Sequence, residues 1–122
     1  MAPVVWQRLA LRGGGMFAEP RLVYITAADA EEARKIARAL VEERLAACAN
    51  IFDPMKSVFR WEGEIQEGSE TVLIVKTTAD RVAALTDRVM TLHSYDCPCV
   101  AAIPIDAGNP AFLDWIGAET AA

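Results

Sequence analysis

The chain predicts an α+β fold, a two-layer βαββαβ sandwich with a short C-terminal helix. Three observations carry this. Four short apolar, β-branched runs are spaced along the chain, and the gaps after the first and third hold apolar residues at helical spacing. A glycine turn joins the second and third runs, as in an antiparallel hairpin. The connections around them are the right length for right-handed crossovers.

Residues 21–26 (RLVYIT) read as a buried first strand. Asp29 then caps a helix, with Glu32 three residues on. Ala33, Ile36, Ala37, Leu40, Val41 and Leu45 recur at helical spacing, so the helix is expected to end near Ala46. A second strand starts at Cys48. Pro54 interrupts it, which predicts a bend or a sheet edge, and residues 57–61 resume it. Gly63 marks the turn, and the third strand is strongest over residues 71–77. The hairpin between these strands is expected to extend beyond the sheet. Thr77 or Thr78 caps a second helix with Val82, Leu85, Val89 and Leu92 as its apolar stripe. Residues 100–105 form a fourth strand, and Pro104 favours an edge position. Asn109-Pro110 opens the last helix, with a cap followed by proline at its first position. Together these elements make a ferredoxin-like sandwich.

A chain of 122 residues is one domain with room for a real core. Residues 1–20 read as a flexible tail, a leader or an upstream start with Met16 as another start, and residues 21–120 as the domain. No apolar run approaches the roughly 20 residues that span a bilayer, so no membrane partner is expected. The net charge is −5 with no basic patch, which argues against nucleic acid. Three cysteines cannot all pair within one chain, and this points to a reducing compartment. Phe59 and Trp61 on the hairpin, with Phe112 and Trp115 on the last helix, suggest surfaces buried against another copy.

The densest chemistry lies in residues 92–99, LHSYDCPC, which hold the only histidine, a tyrosine, a carboxylate and two of the three cysteines. Imidazole and thiolate are good ligands for zinc and copper. Cys97 and Cys99 share one side of an extended backbone, so both sulfurs can hold one Cu(I) or Zn(II), completed by His93 or a neighbouring subunit. The alternative is two small apolar side chains in the core. Cys48 is a further ligand candidate or a packing residue. His93 is a ligand, a proton donor or a helix C-cap. Lys76 meets Asp96, an anionic ligand or a salt-bridge partner. Trp61 and Tyr95 floor a small-molecule pocket or pack at an interface. A thiol nucleophile at Cys97 with His93 as base would need a third orienting residue, and none is evident, so no enzyme is expected.

The segments Arg44-Leu45-Ala46-Ala47-Cys48-Ala49-Asn50, Arg60-Trp61-Glu62-Gly63-Glu64-Ile65, Lys76-Thr77-Thr78, Leu92-His93-Ser94-Tyr95-Asp96 and Gly108-Asn109-Pro110 occur in order. Together they resemble the CutA divalent-cation-tolerance family over about residues 21–118. The resemblance implies a cytoplasmic homotrimer with an architecture like the PII signalling proteins. It implies intersubunit clefts lined by Trp61, Lys76, His93, Tyr95 and Asp96. It also implies a role in the response to metal ions, copper or a similar divalent ion among them, with no organic cofactor or enzymatic activity; the side chains themselves make His93, Cys97, Cys99 and Cys48 the candidate ligands. The alternative is a PII-like signalling or scaffold trimer that takes a small anion or an unidentified protein partner in those clefts. The family's usual stretch is His-Pro-Tyr-Glu, an apolar residue, then Pro-Glu. Here Ser94, Asp96, Cys97 and Cys99 stand at the changed positions. One carboxylate is lost and two thiols are gained, a change that favours a softer metal.

Overall fold

The computed structural model describes residues 19–121. The tail expected over residues 1–20 therefore lies outside the described residues up to position 18. The elements run β1 (Pro20–Ala27), α1 (Ala30–Glu42), β2 (Cys48–Trp61), β3 (Glu64–Thr78), α2 (Val82–Leu92), β4 (Val100–Pro104) and α3 (Pro110–Thr120), with a 3-10 turn at Ala79–Arg81 before α2. β1 starts slightly earlier than its sequence suggests, and the Glu19 carbonyl accepts from the Ala79 amide at 2.8 Å.

The four strands form one antiparallel sheet in the order β2-β3-β1-β4. β-branched residues at alternate positions set which face is buried. Val23, Ile25 and Ala27 of β1 and Leu73 and Val75 of β3 meet Ala33, Ile36, Ala37 and Leu40 of α1 and Leu85 and Val89 of α2 in one core. Cross-strand partners share a face. Leu22, Tyr24, Ile74, Lys76, Cys48 and Ile103 therefore lie on the opposite face of the sheet.

α1 is opened by Asp29, whose Oδ1 accepts from the Glu32 amide at 2.8 Å, while Glu32 Oε1 accepts from the Ala28 amide at 3.0 Å. The helix ends at Glu42, before the position expected from its periodicity. Arg44 takes a left-handed φ of 58°, the Arg44 amide donates to Val41 O and the Leu45 amide to Leu40 O. This is a Schellman closure with arginine where glycine is usual. Leu45 still packs on the core, so its apolar signal is real although it is not helical.

β2 is an edge strand, and its ladder with β3 shifts register between Phe52 and Met55, around Pro54. The expected interruption is thus a bulge in one long strand. Beyond it the hairpin continues to a two-residue turn at Glu62-Gly63, both with positive φ, the geometry that suits the twist of paired strands. β4 is the other edge, which accommodates Pro104. α3 is capped by Asn109 Oδ1 accepting from the Ala111 amide at 3.1 Å. It is tied down at its end by Arg81 Nε donating to Thr120 O at 2.7 Å and by a buried Thr78–Thr120 hydroxyl contact at 3.2 Å.

Candidate functional site

The outer half of the β2–β3 hairpin and the loop between α2 and β4 line a cleft of about 680 Å³, formed by Thr26, Phe59, Trp61, Gln66, Gly68, Ser69, Glu70, Tyr95, Asp96, Cys97 and Cys99. Its two walls arise from separate local rules. In the hairpin, the register pairs Met55 with Glu70, Ser57 with Gly68 and Phe59 with Gln66. Strand alternation therefore turns Ser57, Phe59, Trp61, Gln66 and Glu70 to one side. In the loop, the backbone is held in place by His93 and Glu32.

His93 is the C-cap residue of α2, and its side chain is fully buried. Its Nδ1 accepts from the Tyr95 amide at 3.0 Å, and Nε2 lies 2.7 Å from Thr26 O. A carbonyl only accepts, so Nε2 carries a proton and donates to Thr26 O. Both nitrogens are consumed in holding the loop on β1, and the ring stacks at a tilt on Tyr95 with centroids 4.6 Å apart. Neither nitrogen is left to bind an ion, so the ligand role expected of His93 gives way to a structural one.

Glu32 completes the anchor. Its Oε2 accepts from the Ser94 amide at 2.9 Å. Burial by itself would raise this carboxyl, but the amides of Ala28 and Ser94, the Ser94 hydroxyl and the nearby His93 ring outweigh burial and hold it below its usual 4.5.

Glu70 joins the two walls. Its Oε1 accepts from Ser57 Oγ at 2.7 Å and its Oε2 from Tyr95 Oη at 3.0 Å. Partial burial, then the Glu70 hydrogen bond and charge, push the Tyr95 phenol up to about 12. The Cys99 thiol is raised by partial cover and by Glu70. All three cysteines are free; Cys97 and Cys99 are exposed, so they are not the core residues of the alternative reading.

The structure thus brings together Trp61, Tyr95, Asp96, Cys97 and Cys99, with His93 behind the loop, and leaves Cys48 and Lys76 apart from the cleft. Cys48 opens β2 opposite Lys76, half-buried, with its thiol raised by burial. The Lys76 ammonium donates to Asn50 Oδ1, not to Asp96. Six residues separate Lys76 from Glu70, which is about 20 Å along an extended strand. The four-residue metal set and the five-residue cleft set are therefore not single clusters within one chain. Among the described residues no group of three or more His, Cys, Asp and Glu is placed to hold one ion. The donors fit a soft ion better than a hard one. A pair of exposed thiols suits copper, whereas a hard divalent cation wants several convergent oxygens.

Phe59, Ser57, Gln66 and Glu70 are site residues that motif reading passes over. The hairpin register is the signal that finds them, because it places them on the face of Trp61.

Fold and cleft together define a small single-sheet α+β protein whose site is shared by a projecting hairpin and the loop before the last strand. Residues 21–119 match the family described as CutA1 divalent ion tolerance protein, and the chain belongs to that family. The divalent-cation tolerance protein CutA of Archaeoglobus fulgidus is 52% identical over 94 residues, covering 77% of this chain and 91% of that protein. Its counterpart in Thermus thermophilus is 48% identical over 99 residues, covering 81% and 96%. The solved structure titled as the periplasmic divalent cation tolerance protein CutA from Archaeoglobus fulgidus matches with a TM-score of 0.81 at 48% identity, covering 84% of this chain and 99% of that one. No helix among the described residues is long and apolar enough to cross a membrane.

Proposed function

We propose that this chain works as a homotrimeric metal-response protein that binds copper, or a similarly soft ion, reversibly at Cys97 and Cys99. The observation that carries this is the opening of both exposed thiols into one cleft beside Glu70 and Asp96. A site of higher coordination number draws its remaining donors from a neighbouring copy or from solvent. Membership of a divalent-ion tolerance family supports the metal role. The protein acts by binding rather than by turnover, and three free thiols suit the reducing cytoplasm.

Two features support association. The sheet face opposite the helices carries Phe52 and Ile103 in the open, and the hairpin exposes Val58, Trp61 and Ile65. Apolar surface of this extent favours burial against further copies. The strand order with both long helices on one face supports the ferredoxin-like description, and a trimer of such units is the PII-like architecture.

The test is a titration of fully reduced protein with Cu(I) against a chelating competitor, with native mass spectrometry on the same samples. Tight binding at a fixed ratio per trimer, lost in Cys97→Ser/Cys99→Ser while the trimer persists, supports the reading. Unchanged binding in that double variant removes the site assignment. A monomeric mass removes the assembly.

A further inference from the structure

His93 Nδ1 faces two partners that make opposite demands on it. The Tyr95 amide lies 3.0 Å away and donates, so it needs a bare nitrogen lone pair. Glu32 Oε1 lies 3.6 Å away and as a carboxylate only accepts, so it needs Nδ1 to carry a proton. One nitrogen cannot serve both. Nε2 takes no part in the choice, because it donates to Thr26 O in either case. The ring is fully buried within its own chain, and these partners all belong to that chain. The pairings therefore do not depend on what a further copy covers.

The surroundings set the balance between the two. Burial penalises the imidazolium. Against this stand Glu32 on α1 and the negative end of α2, which His93 closes by donating its amide to Val89 O. β1 presents the Thr26 carbonyl, and the loop itself places the Tyr95 ring 4.6 Å from the imidazole. Behind Tyr95 stand Glu70 of β3 and Asp29, the N-cap of α1, both carboxylates whose charge reaches its phenol. Glu32 is held below its usual 4.5, so it remains an anion through mild acid. The Ala28 and Ser94 amides fix it in place, and Oε1 keeps a second lone pair for an Nδ1–H.

We propose that His93 is a pH-operated latch on the loop between α2 and β4. With Nδ1 bare, the Tyr95 amide is bound and the loop is seated, as in this structure. Protonation turns Nδ1 to Glu32 and repels the amide N–H. The Tyr95 backbone is then released while Ser94 stays tied to Glu32. The released segment carries Tyr95, Asp96, Cys97 and Cys99, one wall of the cleft. Acid thus unseats that wall without unfolding the chain. The latch uses no sulfur and stands apart from the soft-ion reading.

The chain has one histidine, so its two ring nitrogens give unambiguous signals. The experiment is a heteronuclear NMR pH titration of the reduced full chain with a chelator present, reading the imidazole nitrogens and the Tyr95 and Ser94 amides together. Circular dichroism confirms that the chain stays folded. The expected result is that Nδ1 gains its proton and the Tyr95 amide loses its hydrogen bond at one shared midpoint, with the Ser94 amide still bonded. Glu32→Gln should lower that midpoint by about one pH unit or more, because an anion beside Nδ1 is removed. His93→Gln should abolish the pH response of the Tyr95 amide. Cys97→Ser/Cys99→Ser should leave the midpoint unchanged, which separates the latch from metal binding. A Tyr95 amide that stays bonded when Nδ1 is protonated, a ring that takes up no proton before the chain unfolds, or a midpoint that Glu32→Gln does not lower would overturn the proposal.

Discussion

Glu32 Oε2 accepts a 2.9 Å hydrogen bond from the Ser94 amide, so one carboxylate ties the first turn of α1 to the loop that carries the cleft residues. The other oxygen of the same group accepts from Ala28. A proline at position 94 would have no amide hydrogen and could not make this bond. Any residue but proline at position 94 supplies the amide this anchor needs.

The anchor is acid-sensitive. The Glu32 carboxyl is held below 4.5 in the folded chain. Ionisation thus favours folding, and the gain is fully present above the ordinary carboxylate range. It is lost as pH falls through the lowered value. Glu32→Gln should cost about 2 kcal/mol at neutral pH, the scale of hydrogen bonds to a charged group. Urea midpoints of both proteins, taken at one protein concentration from neutral pH down to pH ~3, should converge at the acid end. A gap that stays constant with pH would show that the charge is not what stabilises the loop.

The hairpin tip offers a purely conformational test. Gly63 has φ +78° and nothing near the position a Cβ would take. Gly63→Ala should therefore cost about 1 kcal/mol from backbone strain alone. Glu62, at φ 50°, already bears such strain, so Glu62→Asn should recover a few tenths of a kcal/mol. Thermal or urea unfolding of the two variants gives both signs.

The order of elements was legible because core-facing residues such as Val23, Ile25, Leu73 and Val75 alternate, while Ile36 and Leu40 recur one turn apart. The end of α1 was not, because Arg44 fills a left-handed position that sequence reading assigns to glycine. The loop half of the site was legible because Tyr95, Asp96, Cys97 and Cys99 are contiguous. The hairpin half depends on register. Glu70 and Lys76 have the same strand parity, and only the pairing of Met55 with Glu70 and Cys48 with Lys76 shows which of them stands at the loop. His93 looked like a ligand because its partner, the Thr26 carbonyl, is 67 residues away in sequence and is met only in the folded chain.

Copper binding at the thiols should depend on pH. The Cys99 thiol is raised by partial cover and by Glu70, so an ion must displace its proton. Apparent affinity should fall by up to about tenfold per pH unit for each proton displaced as pH drops. Cys48→Ser should leave affinity and stoichiometry unchanged, because Cys48 sits opposite Lys76 and outside the cleft. Competitor titrations at several pH values check both points. Loss of binding in Cys48→Ser would move the site away from the cleft.

Tyr95 and Glu70 supply a spectroscopic reading of the cleft. The chain has two tyrosines, so a Tyr24→Phe background leaves Tyr95 as the single phenol. Its titration should centre at about 12. The neutral phenol is the form the folded chain favours. The associated stabilisation is present below the ordinary tyrosine value and is lost as pH rises through the raised one. Glu70→Gln removes a charge and replaces a carboxylate acceptor with a neutral amide, so the phenol should titrate at lower pH. Ultraviolet difference titration follows this directly, with circular dichroism confirming that the chain stays folded across the range. A titration unmoved by Glu70→Gln would mean that Tyr95 and Glu70 do not meet in solution. The two walls of the cleft would then be uncoupled, and the loop would be held by Glu32 and His93 alone.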